Sequence, residues 1–440
     1  MLSLFRVFHK SRIGHKLLVA LSCLLPFVLA FRPVGGYFLL LAWSLSVFIC
    51  ILPSKDSLSF GERGRGRALM SDPALFSMSI FSVVQVTGVF ASRLPGVVGA
   101  SFAGYSPPSY QLCLIISSFL LFSCGLIFPD LARGVPFFSL EGKKEFFWIK
   151  TAIQAFFILF VLATCFHISN YSHLNYSSLR PVSGLLMIST LGLLLFDYTF
   201  PGPVMSTLVV FLSAVFGQFV LLSDVPGFES LLVFVAIVFW GLSLRSRAQL
   251  MKGSPVDMGR ENLNLSESML VQHSSLRGRH IAFVLVSLAT LCFLLSDVLR
   301  SSFSFVVLKY IAIISDPLSY PRLSSISDVS GYLSNSGLIF GSAQQSWSHL
   351  LSHNSFLDIA VRQGFLPAVA LFSFYLFVLR RALRKVVDCG FFPLLVSLSI
   401  FLYSNVQPFI ISDGYGIIIS FFVLGLVCAP SGHRHDQLKA

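Results

Sequence analysis

The chain has 440 residues, of which 55% are hydrophobic and only 11% are charged, and its mean hydropathy is +0.81. Because a soluble surface needs far more charge, this composition excludes a soluble protein and indicates an integral membrane protein. The net charge of +12 forms no basic stripe with interleaved aromatic residues, so it does not indicate nucleic-acid binding. None of the eight cysteines forms a CxxC pair, and neither a disulfide framework nor a zinc site is predicted.

Apolar segments follow one another along most of the chain, each long enough for a helix to cross roughly 30 Å of hydrocarbon. The first follows a basic stretch and lacks a small-residue cleavage pattern, so we interpret it as an uncleaved helix rather than a signal peptide. Little more than Pro201 separates 181–200 from 203–222, which predicts a tight hairpin. We expect its first helix to be short and to tilt poorly or to lie partly in the interface. We predict an all-α, polytopic membrane protein of about twelve transmembrane helices, with spans at 17–31, 34–52, 74–92, 110–128, 148–166, 181–200, 203–222, 226–244, 281–297, 365–380, 390–406 and 409–428.

The basic residues between these spans predict the orientation of the chain. Cytoplasmic connections of membrane proteins carry an excess of Lys and Arg. If the N-terminus is inside, only seven of the 31 Lys and Arg residues lie outside, and these are Arg32, Arg93, Arg180, Arg300, Lys309, Arg322 and Arg362. We therefore predict that both termini face the cytoplasm.

Two long connections divide the chain into three parts. Residues 1–297 hold the first nine helices and a polar, Ser-rich cytoplasmic loop at 245–280, which we interpret as a disordered connector near anionic lipid. Residues 298–364 form an extracytoplasmic loop, and loops of this size usually have a function. Its apolar stretch 302–314 is too short to span, and we expect it to lie in the interface or to re-enter the membrane. Residues 365–440 hold the last three helices and a cytoplasmic tail.

Several ionisable residues lie within or beside the predicted spans, where a charge at a helix centre costs about 2.5–3.5 kcal/mol. They lie near helix ends and outline no relay at the membrane midplane. We interpret them as interfacial anchors or as partners in helix-to-helix hydrogen bonds. These residues are Lys150, Asp197, Asp224, Glu229, Asp297 and Asp413.

The outer loop ends in a segment that contains a candidate general base. Apolar residues recur at helical spacing from Phe356 to Val361, with Ser352 or Asn354 as the expected N-cap. His353 then lies at a helix N-terminus, where the helix dipole favours a neutral imidazole. A neutral imidazole can accept the proton of a sugar hydroxyl, which is what a general base must do.

Three other interpretations of this loop stay open from the residues alone. His349 and His353 are spaced i, i+4 and on a helix would hold a metal, although no HExxH motif is present. A Ser–His–Asp hydrolase would lack its usual G-x-S-x-G elbow. A histidine with a purely structural role fits the spacing as well.

At these positions the sequence resembles a known family. SHNSFLDIAVRQGFLP (352–367) is similar to the HN-x-x-L…G signature of bacterial O-antigen ligases and O-antigen or exopolysaccharide polymerases. The same family has an upstream arginine and a Gly-rich stretch in this loop, and an arginine and a glycine at the outer end of an earlier helix. The matching residues are His353, Asn354, Leu357 and Gly364 in the signature, Arg322 and GLIFG (337–341) upstream, and Arg180 and Gly184 in LRPVSGLL (179–186).

The resemblance implies a GT-C-like fold in the bacterial inner membrane. It also implies inverting glycosyl transfer, without a metal or cofactor, from a glycan carried on undecaprenyl diphosphate. Arg180 and Arg322 would hold the departing diphosphate, while His353 would deprotonate the acceptor, which is a second glycan or a lipid. A chain-length regulator protein and membrane lipid are the other expected partners. The candidate substrate-binding residues are Asn354, Arg362 and His349.

The residues leave the acceptor open. A polymerase adds the glycan to another lipid-linked repeat, whereas a ligase transfers it to lipid A-core or to a protein, and both would use the same side chains. We favour the polymerase, because no feature of the chain indicates a lipid A-core or protein acceptor. A transporter of lipid-linked sugars is a further alternative, although it predicts charged residues along a central cavity and paired broken helices. A membrane scaffold without catalytic activity is the last alternative.

Overall fold

The computed structural model describes residues 12–31, 36–51, 72–91, 108–133, 140–171, 176–200, 204–224, 228–253, 354–406 and 414–429, together with the single positions 304, 308 and 311. The chain is helical across these ranges, apart from short turns, and none of these residues is in a strand. The predicted all-α class is thus confirmed for this part of the chain.

The helices of the described ranges agree closely with the predicted spans. Every predicted span coincides with a helix, except 281–297, which lies outside the described residues. In chain order the helices are α1 (Arg12–Phe31), α2 (Gly36–Ile51), α3 (Pro73–Ala91), α4 (Pro108–Arg133), α5 (Leu140–Tyr171), α6 (Tyr176–Thr199), α7 (Val204–Asp224), α8 (Phe228–Gly253), α9 (Ser355–Gln363), α10 (Phe365–Arg384), α11 (Val386–Cys389), α12 (Phe392–Val406) and α13 (Gly414–Cys428).

Several of these helices are suited to a lipid bilayer. Helices α4, α5, α6, α7 and α10 each contain an apolar stretch of 18 residues or more, long enough to cross a membrane. Helices α1, α2, α3, α8, α12 and α13 carry shorter apolar stretches of 10–17 residues. The chain is therefore a helical membrane protein, while the total of twelve crossings and the GT-C-like fold stay predictions.

Helix α8 extends beyond its predicted span. It continues to Gly253, and so it takes up the first residues of the connector predicted at 245–280. This stretch, RSRAQLMKG, is rich in strong helix formers and ends in a glycine, which is the usual residue after a helix C-terminus. The expected disorder of this connector is thus contradicted for residues 245–253.

Helix α6 lies at the centre of the bundle. Every side chain from Val182 to Tyr198 is buried, and α5, α7, α8, α12 and α13 all contact the helix. The sequence predicts a short helix that tilts poorly or lies partly in the interface. The structure encloses it among other helices, while its tilt and its depth in a membrane stay predictions. Its hydropathy is modest because it contains Ser, Thr and Gly residues, which allow close packing of membrane helices. At Gly192, for example, a side-chain carbon would lie 2.4 Å from the ring of Phe157.

Helices α4 and α13 cross in close contact at two glycines. A side-chain carbon on Gly125 would lie 2.3 Å from the carbonyl oxygen of Phe422, and one on Gly425 would lie 2.3 Å from that of Phe122. The two contacts are reciprocal, so the helix backbones touch at this point. Small residues at such crossings are typical of helix association in membranes.

Polar contacts gather helix ends at one end of the bundle, which we name the inner end after the predicted orientation. Arg381 near the end of α10 binds Asp72, just before α3, through Nη1–Oδ1 at 2.5 Å and Nη2–Oδ2 at 2.9 Å. Lys385 donates from Nζ to the carbonyl oxygen of Val427 at 2.7 Å, near the end of α13. The count of basic residues predicts that the connections containing Asp72, Arg381 and Lys385 lie on the same side of the membrane. In the structure, these three residues lie at the same end of the bundle.

The opposite end of the bundle is the outer end, and it contains the start of α6 and the end of α12. The rings of Tyr198, near the end of α6, and Phe392, at the start of α12, have centroids 5.2 Å apart. Since α12 follows the inner-end residue Lys385 after only a short turn, this contact lies at the inner end. The two helices therefore run in opposite directions, and Arg180 and Asn405 lie toward the outer end.

Candidate functional site

The candidate site begins at the N-terminus of α9, which Asn354 caps as predicted. Its Oδ1 accepts hydrogen bonds from the backbone N–H groups of Phe356 at 3.0 Å and Leu357 at 3.2 Å. An N-cap side chain satisfies amide groups that have no partner within the helix. The position next to His353 is therefore fixed by local hydrogen bonds.

The same side chain also joins α9 to α12. Its Nδ2 donates to both the backbone oxygen and Oδ1 of Asn405, each at 3.4 Å. Asn405 is itself held by a hydrogen bond from its Nδ2 to the carbonyl oxygen of Phe401 at 2.8 Å. Asn354 thus connects the end of the outer loop to the outer end of a membrane helix.

Aromatic packing anchors α9 on the bundle. The ring of Phe356 lies 5.5–5.9 Å, centroid to centroid, from the rings of Phe372, Tyr375 and Phe401 on α10 and α12. Aromatic pairs at these separations contribute roughly 0.5–1.5 kcal/mol beyond the area that they bury. Ser355, which follows the cap, is fully buried. These contacts fix α9 as a short rigid helix.

The turn from α9 to α10 requires a glycine. Gly364 has φ 110° and ψ 164°, a conformation that residues with a side chain rarely adopt, and its N–H donates to the carbonyl oxygen of Ala360 at 3.1 Å. The conformation at residue 364 therefore requires a glycine in this chain. It ends α9 and lets α10 start at the next residue.

Helix α6 approaches α12 through Gly184. A side-chain carbon there would lie 2.4 Å from the hydroxyl oxygen of Tyr403, so only glycine leaves room for this buried tyrosine. Arg180 precedes Gly184 by one helical turn toward the outer end. Gly184 therefore allows α6 and α12 to pack closely.

A second polar contact lies beside this turn of α6. Ser183 donates from its hydroxyl to Oε1 of Glu229 at 3.2 Å, and both side chains are buried. Glu229 is in the first turn of α8, where the helix dipole favours a negative charge. Helix α8 contacts both α6 and α12. The hydrogen bond between Ser183 and Glu229 joins α6 to α8 at the outer end.

These contacts show how two predicted site positions are arranged around α12. Tyr403 and Asn405 are two residues apart, so they face nearly opposite sides of α12, about 200° apart. Gly184 lies against one side and Asn354 against the other. Arg180, one turn from Gly184, and Asn354 are therefore placed on opposite sides of α12, toward its outer end.

The structure describes some of the predicted site residues and not others. Arg180 lies in the second turn of α6 and Arg362 in the last turn of α9. His353, His349 and Arg322 lie outside the described residues, so their proposed roles stay predictions. In the apolar stretch 302–314, the described positions Ser304, Leu308 and Ile311 are helical and exposed.

The structural interpretation of the membrane-embedded charges fits Asp197. Its Oδ1 accepts a hydrogen bond from the hydroxyl of Thr207 on α7 at 3.5 Å, and the carboxylate interacts electrostatically with Lys150 on α5. These contacts join three helices near the inner end. Glu229 also makes a helix-to-helix hydrogen bond, but it does so at the outer end, beside the candidate site.

Sequence reasoning missed Tyr403 and Asn405. Both belong to the predicted span 390–406, and an asparagine in its last turn was the one signal that a polar contact forms there. In the described ranges, no three His, Cys, Asp or Glu side chains lie close enough together to hold a metal ion. His349 and His353, the pair with metal-ligand spacing, are not in those ranges.

Comparisons of the chain with protein-family models, with curated proteins and with solved structures each found no match. The resemblance to the O-antigen ligase and polymerase family consequently stays a prediction from the short sequence motifs around Arg180, Arg322 and His353.

Proposed function

We propose that the protein is an inverting, metal-independent glycosyltransferase of the bacterial inner membrane that polymerises repeat units of a surface polysaccharide. The donor is an oligosaccharide on undecaprenyl diphosphate, and the acceptor is a second lipid-linked repeat. The observation that carries the proposal is the placement of Asn354. It caps α9 directly after the candidate base His353, and its contact with Asn405 lies at the same end of the bundle as Arg180.

In the proposed reaction the imidazole of His353 takes the proton from an acceptor hydroxyl. The hydroxyl oxygen forms a bond to the anomeric carbon of the donor, while the bond from that carbon to the phosphate oxygen breaks. The electron pair of the broken bond leaves with the diphosphate, and the configuration inverts because attack and departure occur on opposite faces. The imidazolium later releases its proton to water, which restores the base.

The departing diphosphate needs positive groups close to it. Arg180 and Arg322 would supply them, because the planar guanidinium can bind two phosphate oxygens at once. The starts of α6, α8 and α9 lie toward the outer end, and helix N-termini favour anions through their free N–H groups and dipoles. Fixed positive groups that act where charge develops stabilise the transition state more than the ground state.

The anchoring of α9 suits general-base catalysis. A base works only if it is held within hydrogen-bond reach of the proton that it removes, and a displacement of about 1 Å can reduce the rate by roughly 100-fold. The cap, the contact with Asn405 and the ring cluster around Phe356 restrict the residue that follows His353. His353 directly precedes this anchored residue in the sequence.

The decisive experiment uses purified protein in liposomes with a lipid-linked repeat as substrate. We expect His353→Ala and Arg180→Ala each to abolish polymer formation without lowering the amount of folded protein. His167→Ala is the matched control, because this histidine also lies toward the outer end, on α5, and contacts the ring of Phe31, with centroids 5.2 Å apart. Normal polymer from either site variant would remove that residue from the mechanism.

The metal and the acceptor are tested separately. Loss of activity in EDTA that one divalent ion restores would favour a metal site at His349 and His353 over the proposed base. Lipopolysaccharide gels of a deletion strain distinguish the acceptors. A band with a single repeat indicates a polymerase, whereas bare core with accumulated lipid-linked polymer indicates a ligase.

A further inference from the structure

The outer turn of α6 contains a buried contact that the mechanism above does not use. Glu229 is only 4% exposed, and its Oε1 accepts a hydrogen bond from the buried hydroxyl of Ser183 at 3.2 Å. A carboxylate that is removed from water requires hydrogen bonds and a compensating charge. The serine hydroxyl provides a hydrogen bond but is neutral, and the start of α8 provides only a partial positive charge.

Arg180 lies on the same face of α6 as Ser183. It precedes Ser183 by three residues, and residues three apart share one face of an α-helix. Side chains of a helix lean toward its N-terminus, so the hydroxyl of Ser183 and the carboxylate that it binds lie beside the turn that begins at residue 180. A negative charge beside this turn favours a guanidinium there and limits its directions.

We propose that Glu229 is a positioning residue for Arg180: its carboxylate, fixed by Ser183, holds the outer turn of α6 on α8 and provides the countercharge on the face that carries the arginine. This inference rests on the proposed glycosyl transfer. Glu229 does not touch the substrate in this scheme. It acts on the departing diphosphate through the arginine, so its loss lowers kcat and leaves the KM for the lipid-linked donor nearly unchanged.

Three variants separate the parts of this role. Glu229→Gln keeps a hydrogen-bond acceptor but removes the charge, Ser183→Ala keeps the charge but removes the hydrogen bond, and Glu229→Ala removes both. We expect kcat to fall by about 100-fold in Glu229→Ala, about 10-fold in Glu229→Gln and about threefold in Ser183→Ala, because small displacements of a charged group strongly affect the rate. The KM for the donor should change by less than about threefold in all three.

The other end of α6 offers a matched control. Asp197 and Thr207 form the same kind of buried carboxylate–hydroxyl contact near the inner end, far along the helix from Arg180. Asp197→Asn and Thr207→Ala are expected to lower the thermal unfolding midpoint while kcat per mole of folded protein stays within about twofold of the parent. If kcat falls in the Asp197 and Thr207 variants as far as in the Glu229 and Ser183 variants, α6 is sensitive to the loss of any polar contact and the positioning role is overturned.

The assay also distinguishes this inference from the function on which it rests. If His353→Ala abolishes polymer formation and both Glu229 variants keep full kcat, the positioning role is overturned and the glycosyl transfer stands. If Glu229→Gln does not fold, Ser183→Ala decides, since an unchanged kcat in that variant overturns the role as well. If His353→Ala is as active as the parent, the result contradicts the proposed function itself, whatever the Glu229 variants show.

Discussion

Asn354 and Asn405 are 51 positions apart in the chain, yet the amide nitrogen of Asn354 lies 3.4 Å from both oxygens of Asn405. The amide oxygen of Asn354 meanwhile caps α9. One side chain therefore fixes the start of a short helix and its distance from a membrane helix. Substitutions at this residue can remove the two contacts separately.

We expect Asn354→Asp to retain the cap and lose the donor to Asn405, whereas Asn354→Ala loses both contacts. The lost cap should lower stability by about 1 kcal/mol, which thermal unfolding in detergent would measure. Both variants should lose most polymer formation, with Ala below Asp. Asn170→Ala is the control, because this exposed asparagine bonds only to the carbonyl oxygen of Phe166 in its own helix among the contacts described. Equal polymer formation by Asn354→Asp, Asn354→Ala and Asn170→Ala would show that the contacts of Asn354 are not required at the site.

Gly364 is the next test, because its φ of 110° and ψ of 164° suit glycine almost alone. We expect Gly364→Ala to destabilise the protein by about 1–3 kcal/mol through backbone strain. The strain acts at the junction of α9 and α10, so polymer formation should fall further than the unfolding midpoint alone would predict. A variant with unchanged unfolding midpoint and activity would show that this backbone conformation is not required.

The crossing of α4 and α13 provides a prediction about the whole fold. Gly125→Ala and Gly425→Ala each place a methyl group 2.3 Å from a backbone oxygen, and we expect each to cost about 1–3 kcal/mol as the helices move apart. The double variant should cost less than the sum, because the second methyl enters an interface that is already separated. Gly217→Ala is the milder control, since the nearest atoms are side-chain atoms at 3.3 Å. A fully additive double variant would contradict a direct contact.

At the inner end, Asp72 both binds Arg381 and caps α3 by accepting from the N–H of Ala74 at 2.8 Å. Asp72→Asn should keep the cap and weaken only the ion pair. We expect Asp72→Asn and Arg381→Gln each to cost about 1–3 kcal/mol, because a partly buried charged group loses its partner. The double variant should cost less than the sum of the two. Additive effects on the unfolding midpoint would mean that the ion pair contributes little to stability.

The order of the helices could be predicted well from the sequence, because a segment that faces lipid must be apolar over most of its length. The N-cap at Asn354 was predictable for a similar reason, since capping depends on residues a few positions apart. Helix α8 was predicted too short because hydropathy falls at Arg245, while helix propensity continues to Gly253.

Contacts between distant segments could not be predicted. Nothing local in the chain indicates that Tyr403 packs on Gly184 or that Gly125 meets Gly425, because each pair is brought together by the packing of the whole bundle. Glu229 is a further example. Its place in the sequence predicts an interfacial anchor at a helix end, and only the structure shows its hydrogen bond with Ser183. The candidate site was located by its motifs, but the residues that support it were visible only in three dimensions.

The enclosure of α6 also has a consequence for how the protein is made. Its neighbours α12 and α13 leave the ribosome long after α6 has entered the membrane. During synthesis, Gly184 and Gly192, which contact Tyr403 and Val423 of these helices, must therefore border lipid or helices that were inserted before them. A nascent chain that stops before Phe392 would leave this weakly apolar helix open on one side and become a substrate for membrane proteases. The packing around α6 is thus completed only by the last helices to be inserted.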